Sequence, residues 1–295
     1  MFKNVLVGID GRSNGRDAIA LASRLLNDDG KMTLAHVHSA DLRAFAAIGP
    51  ELLAEEAASS KELLAHERAE AGVEAELVSV SAPTPGRGLH EQAEAQGADL
   101  TVVGSCSRGL LGRTMLGDDA RAALNGTPCA LAIAARGYAT AARPLMRIGV
   151  GYDGSPESTA ALAAARRLAV ETKGSVRALQ IVTIPSVMYT GLMPPLLGES
   201  VDTMIEEARG RMEGIPGIEG RAVYGVPGEE LSAFGDELDL LVVGSRNFGP
   251  VRRRVVGSTC DYLERHARCS LLTLPRVGAA ERAGGEAEAR SAVAV

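Results

Sequence analysis

Short, uninterrupted apolar runs alternate along this chain with longer stretches in which apolar residues recur at helical spacing. Such runs are typical of strands buried on both faces, and the longer stretches are typical of amphipathic helices. In the N-terminal half they predict strands at residues 4–10, 32–37, 74–80, 100–104 and 130–134, and helices at 18–26, 51–71, 85–97 and 114–124. Strands that alternate with helices through short loops form a parallel, doubly wound sheet.

The same order of elements occurs a second time. The sequence VVGS at 102–105 recurs at 242–245, and VGIDG at 7–11 is echoed by VGYDG at 150–154. The second half predicts strands at 148–153, 176–182, 219–224, 240–244 and 271–274, and helices at 154–170, 199–212, 228–238 and 255–266. The predicted fold class is therefore α/β, with two tandem doubly wound parallel sheets of five strands each.

The repeat also sets the expected domain organisation. We expect one domain at residues 1–136 and a second at 147–276, joined by a short polar linker at 137–146. Residues 277–295 are rich in Ala, Glu, Gly and Arg without periodicity, which is typical of a disordered tail. A chain of 295 residues is long enough for each domain to bury a core of its own.

Composition excludes several classes of function. The formal net charge is -6, aromatic residues make up 3% and tryptophan is absent, which together disfavour binding to nucleic acids. No apolar run reaches the length of about 18 residues that a membrane-spanning helix needs. The first predicted strand begins almost at the N-terminus and leaves no room for a signal peptide, so we expect a cytoplasmic protein without a membrane partner.

The cysteines and histidines show no metal-ligand spacing. Cys129 and Cys269 occupy equivalent places before the last strand of each half, where packing is the expected role. Cys106 lies in the first glycine-rich loop, where a redox role stays open although no resolving cysteine is near in sequence. His36 and His38 alternate on a strand without a cluster of carboxylates or thiols, so no metal site is predicted.

A glycine-rich loop follows the fourth strand of each half. In the second half it opens at Gly244 and Ser245, passes Asn247, and closes at Gly257 and Ser258, where a helix begins. Backbone N–H groups of such a turn, together with the positive end of the helix dipole, can hold a phosphate chain. The loop has neither the Gly-Lys-Ser/Thr ending of a Walker motif nor GxGxxG spacing.

The two motifs together resemble those of the universal stress protein family in its tandem form. Family domains pair Val-Gly-x-Asp-Gly-Ser in the first strand with a late Gly-x-x-Gly-(nine residues)-Gly-Ser/Thr loop. The second half matches them at 150–155 and 244–258, and Pro128-Cys129 also resembles the family before the last strand. The resemblance implies a Rossmann-like, adenine nucleotide alpha hydrolase-like fold. It also implies that the halves pack about a pseudo-twofold axis through their last strands.

The resemblance further implies binding of ATP, or a related adenine nucleotide, with Mg²⁺ held by the phosphates. In ATP-binding members the first-strand Asp and the end of the second strand flank the adenosine, and the late loop holds the phosphates. The implied site residues in the second half are Asp153, Val182, Gly244, Ser245, Asn247, Gly257 and Ser258. In the first half they are Asp10, Val37, Gly104, Ser105 and Gly117.

The two loops differ in ways that favour the second. Its fourth position is Asn247, which tolerates a left-handed backbone better than Ser107 does in the first loop. In the first loop Gly117 is followed by Asp118 and Asp119, whose carboxylates repel a phosphate placed at the helix start. We therefore expect the nucleotide site mainly in the second half.

Two functions stay open at this point. The first is a regulatory stress-response module that binds an adenine nucleotide and an unidentified protein partner. The alternative is an interaction protein of the same fold that binds no nucleotide, in which Asp10 and Asp153 only cap the following turn. No acid–base constellation is evident, so we expect no enzyme beyond slow ATP hydrolysis. The tandem halves form an intrachain pseudo-dimer, and a homodimer of the whole chain stays open.

Overall fold

The computed structural model describes residues 1–39, 50–105, 129–141, 144–183, 197–245 and 258–275. In the first half the elements are β1 Phe2–Gly8, α1 Ser13–Leu25, β2 Leu26–Ser39, α2 Pro50–Ala71, β3 Glu76–Ala82, α3 Pro85–Gln96, β4 Leu100–Gly104 and β5 Ala130–Ala134. The predicted helix at 114–124 and the predicted tail at 277–295 lie outside the described residues.

The connection between the halves contains the short helix α4, Tyr138–Ala141. The second half then has β6 Arg147–Gly151, α5 Pro156–Thr172, β7 Ser175–Val182, α6 Leu197–Glu213, β8 Glu219–Tyr224, α7 Pro227–Phe234, a 3₁₀ turn at Gly235–Glu237, β9 Leu240–Gly244, α8 Ser258–His266 and β10 Ser270–Leu274. The predicted elements that fall on described residues are all present, with most boundaries shifted by a few residues.

One boundary differs by more. The predicted helix at 18–26 and strand at 32–37 left residues 27–31 as a connection, but β2 already begins at Leu26 and includes that segment. Leu26 has extended backbone angles, and its N–H still reaches the carbonyl of Ala22 in the last turn of α1. Leu26 also pairs with Phe2 of β1, although the register shifts before Asn4. The next pair is Asn4 with Lys31, so β1 advances two residues while β2 advances five. Residues 27–30 therefore bulge out of the ladder instead of pairing with β1, as the turn preference of Asn, Asp and Gly favours.

The strands form a single sheet in the order β3-β2-β1-β4-β5-β10-β9-β6-β7-β8. Pairing is parallel within each half, and the predicted doubly wound α/β fold is confirmed. The two five-stranded sheets are joined edge to edge, because β5 and β10 pair antiparallel with Leu272 opposite Ala132. The expected packing of the halves through their last strands is therefore confirmed. Ala135 N–H also donates to Ser270 Oγ (3.1 Å) across the junction.

Each face of this sheet carries a core that both halves share. Val5 and Val7 face one core together with Ile148 and Val150, whereas Leu6 faces the other, which includes Leu271. Strands β4, β5, β9 and β10 are almost completely buried, which explains their uninterrupted apolar sequences. The halves therefore fold as parts of one layered structure.

The predicted linker at 137–146 is packed rather than free where the structure describes it. The buried carboxylate of Asp17 on α1 accepts the N–H groups of Gly137 and Ala139, each at 2.8 Å. These bonds cap the start of α4, where backbone N–H groups have no partner within the helix. Tyr138 next to them is buried in the core shared by both halves. The composition of this segment gave no signal of this docking, because its anchor is a single aspartate far away in sequence.

The buried phenol of Tyr138 provides a test of this packing. Burial raises the pKa of Tyr138 from 10.0 to about 12, and its hydroxyl has no hydrogen-bond partner among the described residues. The raised pKa means that the folded state favours the neutral phenol. The contribution of this preference to the free energy of unfolding is fully present below pH 10 and is lost as the pH rises to 12. We expect Tyr138→Phe to match the wild type at pH 7 and to lose about 2 kcal/mol less stability between pH 10 and 12. Denaturant unfolding at both pH values measures this difference, and identical pH profiles would contradict it.

Candidate functional site

A cleft of about 460 Å³ opens in the second half at the carboxyl ends of β6, β7 and β9. Parallel sheets generally take their ligands at this edge, and the volume suits a small organic molecule. The cleft is lined by Gly151, Tyr152, Asp153, Ser155, Ser158, Ile181, Thr183, Pro227, Leu231, Val243, Gly244, Thr259 and Cys260. Two of the predicted site residues, Asp153 and Gly244, are thus among the residues that line it.

Asp153 closes a hydrogen-bonded turn that leads into α5. Its carboxylate accepts the N–H of Ser155 (3.0 Å), and Gly154 between them has a positive φ of 79°. Ser155 then caps α5, because its Oγ accepts the N–H of Ser158 (3.2 Å). The interpretation of Asp153 as a turn residue therefore has direct support. The same carboxylate also lies at the wall of the cleft, so the structural role does not exclude contact with a ligand.

Asp10 has the corresponding role in the first half. Its carboxylate accepts the N–H of Arg12 (3.1 Å) and a second bond from the side-chain amide of Asn14 (3.0 Å). Gly11 has a positive φ of 73°, as its counterpart Gly154 has. The position of Asn14 is occupied by Glu157 in the second half, so the amide contact belongs to the first half.

The last residue of β9 must be glycine for a reason of packing. A Cβ on Gly244 would lie 2.5 Å from the carbonyl oxygen of Glu157 in the first turn of α5. A Cβ on Gly104 would lie 1.9 Å from the carbonyl oxygen of Asn14 in α1. The two glycines therefore let the strand end and the helix start approach closely. This contact brings the N-terminal end of α5 to the cleft beside β9.

The serines that follow these glycines tie the inner strands together. Ser245 N–H donates to the carbonyl of Leu274 in β10 (2.9 Å), and Ser105 N–H donates to that of Ala134 in β5 (3.1 Å). The hydroxyl of Ser105 is buried and has no hydrogen-bond partner among the described residues. Both serines therefore have a structural role at the point where the glycine-rich loops begin.

Strand pairing shows which residues of the second strands correspond. Gly8 of β1 pairs with Ala35, and its counterpart Gly151 of β6 pairs with Leu179. Counted two residues onward from these partners, Val37 corresponds to Ile181. Ile181 and Thr183 line the cleft, and the sequence reasoning did not select them. Side chains alternate between the two faces along a strand. Counting by two from the residue that pairs with the first strand would therefore have selected Ile181.

Val182 points to the other face of the sheet. Its side chain is buried with Ala208 and Ala222, beneath helix α6. Its carbonyl accepts the N–H of Gly225 (3.2 Å) in the connection that leads to α7. Val182, which the sequence predicted as a site residue, is therefore not among the residues that line the cleft, and its neighbour Ile181 lines it instead.

The corresponding edge of the first half is packed more closely. A Cβ on Gly88 of α3 would lie 2.7 Å from Val37 Cγ1 and 2.9 Å from Ala82 Cβ, so this helix rests on the end of β2. Counted from the prolines that begin α3 and α7, Gly88 corresponds to Glu230. The side chain of Glu230 occupies the space beside Gly225, at the outer edge of the sheet. In the first half α3 thus packs on the end of β2 at Gly88, whereas in the second half Ile181 at the end of β7 lines the cleft.

Three helices begin at the cleft, since Ser155 precedes α5, Pro227 opens α7 and Thr259 belongs to the first turn of α8. The N-terminal end of a helix carries a partial positive charge and N–H groups that favour anions. In the described ranges, no group of three His, Cys, Asp or Glu side chains is placed to hold a metal ion. The cleft therefore favours an anionic ligand by its backbone dipoles.

Several predicted site residues lie outside the described part of the chain. They are Asn247 and Gly257 of the second loop and Gly117 of the first. Ser258 is described as the first residue of α8, and its two successors Thr259 and Cys260 line the cleft. Gly244 and Thr259, which lie before and after residues 246–257 in the sequence, therefore both line the cleft.

A parallel sheet with helices packed on both faces and a cleft at its carboxyl edge defines a Rossmann-like α/β fold. A model of the universal stress protein family matches residues 1–134 and again residues 144–275. The chain therefore belongs to the universal stress protein family. Its two matched segments agree with the tandem form that the repeat predicts.

Solved structures show the same fold over nearly the whole chain. A universal stress protein from Archaeoglobus fulgidus DSM 4304 is 17% identical, with a TM-score of 0.64 over 92% of this chain and 98% of that chain. A putative universal stress protein from Pseudomonas aeruginosa UCBPP-PA14 is 15% identical, with a TM-score of 0.63 over 97% of this chain and 98% of that chain. No helix in the described ranges is both long and apolar enough to cross a membrane.

Proposed function

We propose that this protein binds ATP, or a related adenine nucleotide, in the cleft of its second half and acts as a regulatory stress-response module in the cytoplasm. The observation that carries the proposal is the meeting of three helix N-termini with the predicted residues Asp153 and Gly244 around one cleft. Backbone donors at helix starts suit a chain of phosphates, because they offer N–H groups without a competing side-chain charge.

The lining of the cleft divides into an apolar and a polar part that match the two parts of a nucleotide. Ile181, Pro227 and Leu231 offer an apolar surface for the base. Gly244 lies at the end of β9 and Thr259 in the first turn of α8, where the phosphates would accept backbone hydrogen bonds. The phosphates would supply the oxygens for Mg²⁺, since the described residues offer no metal cluster of their own.

The chemistry of the cleft fits a regulatory role better than it fits the catalysis of ATP hydrolysis. Among the described residues that line it, Asp153 is the one carboxylate and already accepts the N–H of Ser155, and the other polar side chains are hydroxyls and the thiol of Cys260. A hydrolase needs a group that orients the attacking water, so any ATP hydrolysis would be slow. In this proposal, nucleotide occupancy changes the surface around the cleft that an unidentified protein partner contacts.

The alternative is an interaction protein of the same fold that binds no nucleotide. The observations that favour it are the turn-forming bonds of Asp10 and Asp153, which account for both residues without a ligand. In this alternative the tandem halves serve as an intrachain dimer, and pairing of whole chains adds a second level of assembly.

Isothermal titration calorimetry with Mg-ATP separates the two functions. We expect saturable binding of one nucleotide per chain, with a matched Asp153→Ala variant weakened about tenfold through loss of the turn and of the ligand contact. Asp10→Ala is the control, because it makes the same change in the first half and should leave the affinity within about twofold. Absence of heat at millimolar ATP would contradict nucleotide binding and favour the alternative.

A further inference from the structure

Cys260 differs from the other cysteines that the structure describes. Cys129 lies beside the hydroxyl of Thr101 (3.4 Å), and burial raises the pKa of the Cys269 thiol from 9.0 to about 12. Cys260 lies in the first turn of α8 and is the described cysteine that lines the cleft. Its residue surface is only 4% exposed, so the sulfur is held within the wall of the cleft.

The thiol of Cys260 connects the two flanks of the glycine-rich loop. Its Sγ–H donates to the carbonyl oxygen of Gly244 at 3.8 Å. Gly244 is the last residue of β9, and Cys260 is the third residue of α8. The contact therefore fixes the first turn of α8 against the end of the strand from which the loop departs.

Gly244 cannot move freely to follow a displaced helix. A Cβ at this position would already contact the backbone of Glu157, which shows how closely α5 holds the strand end. The N–H of Ser245 is also bonded to Leu274 (2.9 Å). The end of β9 is thus held by α5 on one side and by β10 on the other. The hydrogen bond from the Cys260 thiol to Gly244 therefore holds the first turn of α8 in place as well.

The sequence places this thiol in the second half alone. The offset of 140 residues that relates Gly117 to Gly257 relates Ala120 to Cys260. Alanine has no hydrogen-bonding group, so the corresponding residue of the first half cannot make the same contact. The half that carries the open cleft is therefore the half that carries the thiol.

We propose that Cys260 is a positioning residue for the nucleotide. Its thiol holds the backbone donors of the first turn of α8 at the orientation that the phosphates need. This inference rests on the proposed binding of an adenine nucleotide in the same cleft. It assigns Cys260 no contact with the nucleotide's reacting atoms, and no covalent step.

The test compares Cys260→Ala with Cys260→Ser in Mg-ATP calorimetry. Both variants remove the sulfur and leave a similar space, but serine keeps a hydrogen-bond donor and alanine does not. We expect alanine to weaken binding about fivefold and serine to stay within about twofold of the wild type. Thermal unfolding without nucleotide should give the two variants similar midpoints, because their packing losses are similar.

The outcomes separate this inference from the function on which it rests. Wild-type protein that binds no Mg-ATP would contradict the proposed function itself. Wild-type binding with equal affinities for the alanine and serine variants would overturn the positioning role alone. If the affinity for Mg-ATP fell in both variants in proportion to the fall in their thermal unfolding midpoints, the positioning role would likewise be overturned. The lower affinity would then result from a loss of stability.

Peptide-level labelling with iodoacetamide provides a second measurement on the unmodified chain. A nucleotide in the cleft covers its wall, so saturating Mg-ATP should slow the alkylation of Cys260 about tenfold or more. Cys129 serves as the internal control for general stabilisation and should change much less. Equal protection of the two cysteines would contradict the placement of the nucleotide against α8.

Discussion

Transfer of the acidic pair of the first loop into the second is expected to abolish nucleotide binding. The double variant Ser258→Asp/Thr259→Asp copies Asp118 and Asp119 to the start of α8. A carboxylate about 6 Å from a phosphate charge costs about 3 kcal/mol at an effective dielectric constant of about 20. Two such charges beside a triphosphate should therefore lower the affinity at least about 100-fold.

The same change should leave the fold intact or stabilise it slightly. Acidic residues in the first turn of a helix interact favourably with its dipole, by about 0.3–1 kcal/mol each. Ser258→Asn/Thr259→Asn is the matched control, because it has nearly the same shape without the charge and should retain binding. Calorimetry with Mg-ATP measures the affinities and thermal unfolding measures the stability. Unchanged affinity of the acidic variant would place the phosphates away from α8.

Substitution of Gly244 by alanine should cause a large loss of stability. The new methyl group would lie 2.5 Å from the carbonyl oxygen of Glu157, so β9 or the start of α5 must move. Overpacking against backbone, which has no rotamer to change, is expected to cost about 2–4 kcal/mol. Denaturant unfolding should show this as a lower midpoint.

Gly210 offers a control in which the same substitution has the opposite sign. It lies within α6, and a Cβ there would meet no atom within 4 Å. Alanine should therefore stabilise the protein by about 0.5–1 kcal/mol, because it restricts the unfolded chain and favours the helix. If Gly244→Ala and Gly210→Ala changed stability by similar amounts, the close approach of β9 to α5 would not be the reason for glycine at the strand end.

The elements of the fold could be predicted because the apolar patterns are local. Strands such as β5 and β9 were predicted at their observed bounds, since each is a short apolar run with a clear polar boundary. The junction of β5 with β10 followed from the family resemblance, because no local pattern distinguishes an antiparallel joint from a free edge. The docking of α4 on Asp17 was missed for a similar reason, since it depends on one long-range contact.

The site was predictable in part. Asp153 and Gly244 were selected correctly as residues at the cleft, because each follows directly from a motif at a strand end. Ile181 was missed, since Val37 and Val182 each end a predicted second strand and are 145 residues apart, whereas the pairing with the first strands gives an offset of 144. The packing of α3 on the end of β2 at Gly88 was also missed, because it is a contact between residues far apart in the sequence.

The antiparallel joint between β5 and β10 determines from which side other molecules can approach the ligand edge of each half. All strands of one half are parallel to each other, so their carboxyl ends lie at the same edge of the sheet. Because β5 and β10 pair antiparallel, the strands of the other half run in the opposite direction. The two ligand edges therefore face in opposite directions, with the full height of the sheet between them. Under the proposed function, a partner that senses the occupied cleft of the second half would approach from one edge of the sheet. The opposite edge would then be available to a different partner, so that one chain could bridge two proteins of which only one responds to the nucleotide.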